Sequence, residues 1–260
     1  MTQMLASVRN RQEAEIVFDN GADIIDLKDP ASGAMGAVKP DKLLEVIEFV
    51  AGRKPVSAAC GDLAMEPELV RKKVEEFAST GVDFVKIGLF PSHHLAGCLD
   101  ALKPLAQHGK LIAVLFADYR DSYDRALQEE LAAAGFHGAM LDTADKSAGR
   151  LLDHMTPDQV GKFVRDGQSH GLVTGVAGSL EAPDIPRLLS YSPDVIGFRG
   201  ALCAGLDRNA RIDGQATAKI RALIPKMQET DAPASVDYKL LAARGYFPDP
   251  AEAGLGTDKI

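Results

Sequence analysis

The sequence predicts a (β/α)8 barrel of the TIM type, an α/β fold, and three observations point to it. Eight short apolar runs recur along the chain, at residues 4–8, 23–27, 55–60, 83–88, 111–117, 138–142, 171–176 and 194–198. Segments with helical spacing separate them, at 12–20, 41–51, 67–80, 94–108, 121–134, 156–170 and 182–190, and a last one follows at 214–227. Such alternation requires parallel strands joined by right-handed crossovers. An open doubly wound sheet would want a Gly-x-Gly-x-x-Gly turn after its first strand. After Val8 the chain reads Arg9-Asn-Arg-Gln-Glu, with no glycine. The third observation is length: 260 residues accommodate one barrel of about 250.

Local punctuation agrees with this division. Gly21, Gly81 and Gly171 each follow a helical segment and precede a strand, where a left-handed residue ends a helix at little cost. Thr156-Pro157-Asp158 reads as an N-cap followed by proline at the first helical position, and Asp41 is expected to cap the second helix. Past Met227 the pattern changes to Ala, Pro, Gly and Asp, with only 236–246 spaced for a short helix. The expected organisation is a catalytic barrel domain over 1–227 and a C-terminal extension over 228–260.

Composition excludes several classes. Twenty-nine Lys and Arg against 37 Asp and Glu give a net charge of -8, the wrong sign for a surface that displaces counterions from nucleic acid. Cys60, Cys98 and Cys203 are too few and too scattered for a disulfide framework or a zinc knuckle. No cleavable leader and no apolar run of about 18 residues is present, so no membrane association is expected, and the reading is of a soluble cytoplasmic protein. Barrels of this size commonly self-associate, and a homo-oligomer is expected.

Two strands end by delivering an amine. Gly21-Ala-Asp-Ile-Ile-Asp-Leu-Lys-Asp-Pro30 brings Lys28 to the point where its apolar run stops, and Gly81-Val-Asp-Phe-Val-Lys-Ile-Gly88 carries Lys86 in a matching context. Burial disfavours the charged form of lysine, and a neutral amine is a nucleophile or a base. Asp142 ends the sixth strand, with Lys146 four residues later. All three strands are even-numbered, and inward side chains of alternate strands share a layer. Period two places Asp26 inward beneath Lys28, and Phe84 and Gly88 around Lys86. A carboxylate beside Lys28 would raise its pKa, while a second ammonium and an apolar lining would lower it. The expected chemistry is a Schiff base with a carbonyl substrate, the second lysine moving protons.

A phosphate site is expected after the last two strands, where barrels often place backbone N–H groups toward an anion. Gly175, Gly178 and Ser179 follow strand seven, and Arg199 and Gly200 follow strand eight. The Gly-rich stretch 29–40 is expected to close over a bound substrate. His93 and His94 and the Asp118-Tyr-Arg-Asp121 cluster rank lower as contacts. No His/Asp/Glu spacing suits a metal, no Gly-x-Ser-x-Gly elbow is present, and an imine mechanism requires no cofactor.

At Asp26-Leu-Lys-Asp-Pro30, Phe84-Val-Lys-Ile-Gly88, Asp142-Thr-Ala-Asp-Lys146 and Gly175-Val-Ala-Gly-Ser179 the chain resembles the (5-formylfuran-3-yl)methyl phosphate synthase family, from about Met4 to Met227. That resemblance implies a lyase that condenses two glyceraldehyde 3-phosphate molecules, with loss of phosphate and water, into a furan aldehyde phosphate for methanofuran biosynthesis. It implies that Lys28 forms the Schiff base, that Lys86 accepts protons, and that Asp142 and Lys146 are polar residues of the same site. Two alternatives stand beside it: another class I aldolase acting on sugar phosphates, and a non-catalytic phosphosugar-binding barrel.

Overall fold

A computed structural model describes residues 1–119 and 125–225. Expectations for Arg120 and Asp121, for the start of the fifth helix, and for 228–260, including a helix at 236–246, lie outside the described residues. Eight parallel strands close in chain order: β1 Gln3–Val8, β2 Ile24–Leu27, β3 Val56–Ala59, β4 Phe84–Gly88, β5 Lys110–Phe116, β6 Gly138–Asp142, β7 Val173–Val176 and β8 Val195–Phe198. The outer ring contains α1 Arg11–Asp19, α2 Pro40–Val50, α3 Pro67–Ala78, α4 Leu95–Ala106, α5 Arg125–Ala133, α6 Leu151–His154, α7 Pro157–Ser169, α8 Ile185–Leu189 and α9 Gly214–Ala222. The barrel expectation holds, and β1 pairs with β8 from Gln3–Val195 to Ala6–Phe198.

The helix boundaries follow the chemistry of their ends. Gly21, Gly81 and Gly171 have φ of 89°, 89° and 77°, as helix stops before strands require. Thr156 and Gln159 form a reciprocal capping box, and Pro157 opens α7. Asp41 does not cap α2: Pro40 takes the first helical position, Lys39 becomes the N-cap without a side-chain bond, and Asp41 falls in the first turn. A carboxylate there still faces the positive end of the helix dipole. α6, a single turn between β6 and α7, has no periodicity from which it could be read.

Alternation along the strands sorts the core. Outward residues such as Met4, Ala6, Ile25, Leu27 and Ile87 pack with helix residues such as Val17, Val46 and Val74 in the main apolar cluster. Each such buried side chain contributes about 1.5–3 kcal/mol. Inside the barrel, Leu5, Ile24 and Val195 form the lower cluster, and Ala59, Val114, Phe116, Met140 and Ala177 form the upper one. Between them lies a polar row set by register, because Ser7 is level with Asp26, and Asp26 with Ser57.

Candidate active site

Asp26 is wholly buried, and its carboxylate accepts from Ser7 Oγ and Ser57 Oγ at 2.7 Å each and from Lys86 Nζ at 2.9 Å on both oxygens. Burial pushes its pKa up, and the charges of Lys86 and Lys28 with the Ser57 hydroxyl outweigh that and hold it low. Lys86 itself is pushed down, by burial above all and further by the charge of Lys28, against the opposing pull of Asp26. Asp26 is therefore inward, as the strand period predicts, but it is Lys86 that holds it rather than the lysine two residues along.

Lys28 pairs instead with Asp142, Nζ to Oδ2 at 2.9 Å, and both side chains are almost fully buried. Lys146 reaches the other carboxylate oxygen and also donates to Thr143 Oγ1 at 3.0 Å. One carboxylate thus serves two ammonium groups. Burial, with the charges of Lys28 and Arg208, brings Lys146 down to about 8 against the attraction of Asp142. Burial pushes Asp142 up, and Lys146 and Lys28 overcome that and keep it ionised. The β6 loop that carries Lys146 is fixed by Asp118 of the neighbouring β5 loop, whose carboxylate accepts the N–H groups of Ala144 (2.8 Å) and Asp145 (2.7 Å). Asp118 is a support of this centre, with its carboxylate turned to backbone.

A cavity of about 280 Å³ opens above these groups, lined by Lys28, Lys86, Asp142 and Lys146 and by the loops after β7 and β8. Gly178, Ser179, Arg199 and Gly200 all border it. Gly178 and Ser179 both have left-handed backbone, with φ of 105° and 53°. The N–H groups of Ser179 and Leu180 and the Ser179 hydroxyl hydrogen-bond to nothing among the described residues. They are available to an anion. Gly175 is placed elsewhere: it abuts Met140 inside the barrel and lines a second, lower cavity, so strand seven brings only its loop to the mouth. Lys86 borders both cavities.

Arg199 borders the cavity, but its nitrogens are engaged by Glu13 of α1 and by the carbonyls of Ser7, Arg208 and Ala210. The sequence reading overlooked Arg208, which lines the same cavity and whose guanidinium makes a 3.3 Å bond to Pro30 O. Its signal was available: a cation in the connection after β8, on the face where barrel loops gather.

The 29–40 stretch does not hang free over Lys28. Asp62 accepts the N–H groups of Ala34 (2.9 Å) and Met35 (2.7 Å), and Gly61 N donates to Met35 O. Met35 is fully buried and packs in the upper cluster with Ala59 and Phe116. Glycine is required at 33, where φ is 110° and a Cβ would sit 2.0 Å from Asp62 Oδ2, and at 36, where a Cβ would meet Asp29 O at 2.2 Å. The glycines serve a clamp, and the stretch roofs the β3–β5 side of the mouth. His94 pairs with Glu66 at 3.1 Å on the exposed outer surface, and His93 stacks edge-on against it. The three cysteines are free and buried, and no metal-binding cluster of His, Cys, Asp and Glu occurs among the described residues. No helix among those residues is long and apolar enough to cross a membrane.

A closed barrel whose mouth gathers two buried lysines and a part-buried third around two carboxylates defines a (β/α)8 barrel with a cationic pocket at the carboxyl ends of its strands. Solved barrels share the fold: 3-hexulose-6-phosphate synthase superimposes with a TM-score of 0.58 at 18% identity over 86% of this chain and all of that one. Phosphoribosyl anthranilate isomerase from Thermus thermophilus does so with 0.60 at 12%, over 85% and 98%. The 4-HFC-P synthase family matches residues 4–221. A Methylorubrum extorquens protein is 40% identical over 220 residues, 84% of this chain and 89% of its own. The (5-formylfuran-3-yl)methyl phosphate synthase of Methanopyrus kandleri is 36% identical over 80% and 92%, and that of Methanosarcina acetivorans 34% over 85% and 98%. The chain belongs to the 4-HFC-P synthase family.

Proposed function

We propose that the protein condenses two molecules of glyceraldehyde 3-phosphate into (5-formylfuran-3-yl)methyl phosphate, with loss of one phosphate and of water, in methanofuran biosynthesis. The observation that carries this reading is the pairing of each buried strand lysine with its own carboxylate around one cavity, Lys28 with Asp142 and Lys86 with Asp26. Lys28 attacks the aldehyde carbon of one triose phosphate, and the carbinolamine loses water to give the imine. That imine acidifies the adjacent carbon by drawing electrons toward its nitrogen. Lys86, poorly solvated and held by Asp26, takes the proton and returns it at later stages. Asp142 bridges Lys28 and Lys146, so a proton released when Lys28 attacks has an acceptor in contact. The open N–H groups of Ser179 and Leu180 hold the phosphate of the imine-forming molecule. The carbanion equivalent so formed makes the carbon–carbon bond to the second triose phosphate, and loss of two waters and one inorganic phosphate with ring closure gives the furan and returns the free Lys28 amine.

Borohydride reduction during incubation with glyceraldehyde 3-phosphate tests the covalent step. The expected result is one reduced adduct on the peptide containing Lys28 and its absence in Lys28→Ala, which also forms no furan chromophore. Lys86→Ala should retain trapping while turnover falls roughly 100- to 10,000-fold. A specific observation favours a second assignment within the same scheme: Lys146, brought down to about 8 by burial, contacts the same carboxylate as Lys28. An adduct mapped to Lys146 would transfer the imine there. No adduct on any lysine, with furan still produced, would end the imine scheme, and absence of furan with an accumulating aldol would make the enzyme an aldolase.

A further inference from the structure

We infer that Arg208 forms a second anion subsite, across the mouth from the Ser179–Leu180 donors, and that it takes the phosphate of the second triose phosphate, the one that joins the imine. This rests on the proposed condensation and extends it to the substrate that the imine itself does not hold.

Four observations lead there. The cavity's other cations each contact a carboxylate: Lys28 and Lys146 share Asp142, Lys86 has Asp26, and Arg199 has Glu13. Arg208 has none within ion-pair distance among the described residues; the hydrogen bond of its guanidinium goes to Pro30 O. That bond carries the guanidinium from the β8 loop to the segment after β2, whereas Gly178 lies against Thr143 and Leu151, on the β6 side. The two sets of donors therefore approach the lysines from different sides. Arg208 is half-buried, and burial pushes its pKa down, against the field of Asp142, Asp29 and Asp62. A partly desolvated guanidinium with no carboxylate in contact is suited to a phosphate, which it can meet with two parallel N–H bonds.

The loop is held from the rim of the cavity by Arg199. Arg199 donates from Nε to Arg208 O at 2.9 Å and from Nη2 to Ala210 O at 3.1 Å while Glu13 anchors its other edge. Leu206 adopts a left-handed φ of 62° just before, turning the chain back over the mouth. Arg199 is accordingly a positioning residue and Arg208 the anion contact.

The test compares imine formation with condensation in Arg208→Gln and Arg208→Lys. In Arg208→Gln, borohydride trapping of glyceraldehyde 3-phosphate should keep its wild-type concentration dependence while kcat/KM for furan formation falls roughly 10- to 100-fold, with partial recovery in Arg208→Lys. Equilibrium binding of inorganic phosphate should give two sites per chain in the wild type and one in Arg208→Gln. Trapping and turnover weakened by the same factor, unchanged turnover, or an unchanged phosphate stoichiometry would overturn the assignment. If wild-type protein forms no adduct, the imine scheme fails by itself, and the phosphate stoichiometry still decides the role of Arg208.

Discussion

Asp26 is shut off from bulk solvent, so its charge is held by two serines and Lys86 in contact with it and by the nearby charge of Lys28. Replacing it by asparagine keeps the shape and removes the charge, leaving a buried ammonium without its partner. Breaking a buried pair in this way costs roughly 3–5 kcal/mol unless the survivor gives up its proton. Asp26→Asn should therefore lower both the melting temperature and turnover, and a retained melting temperature would indicate a Lys86 that has become neutral. Lys146 makes a pH prediction. Its pKa is near 8 in the folded chain and 10.5 unfolded, so across that window the unfolded chain binds more protons and this group makes stability rise with pH. The neutral Lys146 amine also forms as pH passes about 8, so kcat/KM should climb there. Lys146→Met should remove both the stability slope and that limb of the rate profile.

At the scale of elements, loops hold the site through side chains that never enter it. Asp118 and Asp62 each accept two N–H groups of a neighbouring loop. Asp118→Ala frees the β6 loop and should lower turnover about tenfold while leaving the far-ultraviolet circular dichroism unchanged; an undiminished rate would show that Lys146 is held well enough by Asp142 and Thr143 alone. The strand lysines were legible because a strand dictates where each side chain points: Lys28, Lys86, Asp26 and Asp142 follow from period and register. Loop side chains have no such rule. Arg199 and Arg208 are both cations after β8, and only the position of Glu13, 186 residues away in sequence from Arg199, decides which is tied back and which remains at the mouth. The 29–40 stretch misleads for a related reason. Its glycines read as mobility, whereas they are demanded by the close approach of Asp62 and of the Asp29 carbonyl.

For the molecule as a whole, the strand–helix order was readable because alternation constrains topology strongly, and the eight strands occur where the apolar runs lie. What the runs could not convey is how the interior is divided, since the polar row of Ser7, Asp26 and Ser57 arises from register between strands distant in sequence. The cavity above that row is lined by five cations, Lys28, Lys86, Lys146, Arg199 and Arg208, against three carboxylates, Asp142, Glu181 and Asp207, and should bind anions even without turnover. Inorganic phosphate is expected to raise the melting temperature, the gain approaching about 2.7 kcal/mol at a hundredfold excess over its dissociation constant. A melting temperature indifferent to phosphate would contradict that electrostatic picture.

The strand that starts the barrel finds its last neighbour only near residue 195. While the ribosome is still extending the polypeptide, Gln3 through Ala6 must wait with one edge uncovered, and the amines cannot yet be enclosed together. No abbreviated product of translation would do a fraction of the chemistry. Competence arrives late and all at once, and cutting and rejoining the polypeptide at a different loop should alter when it arrives without altering what is made.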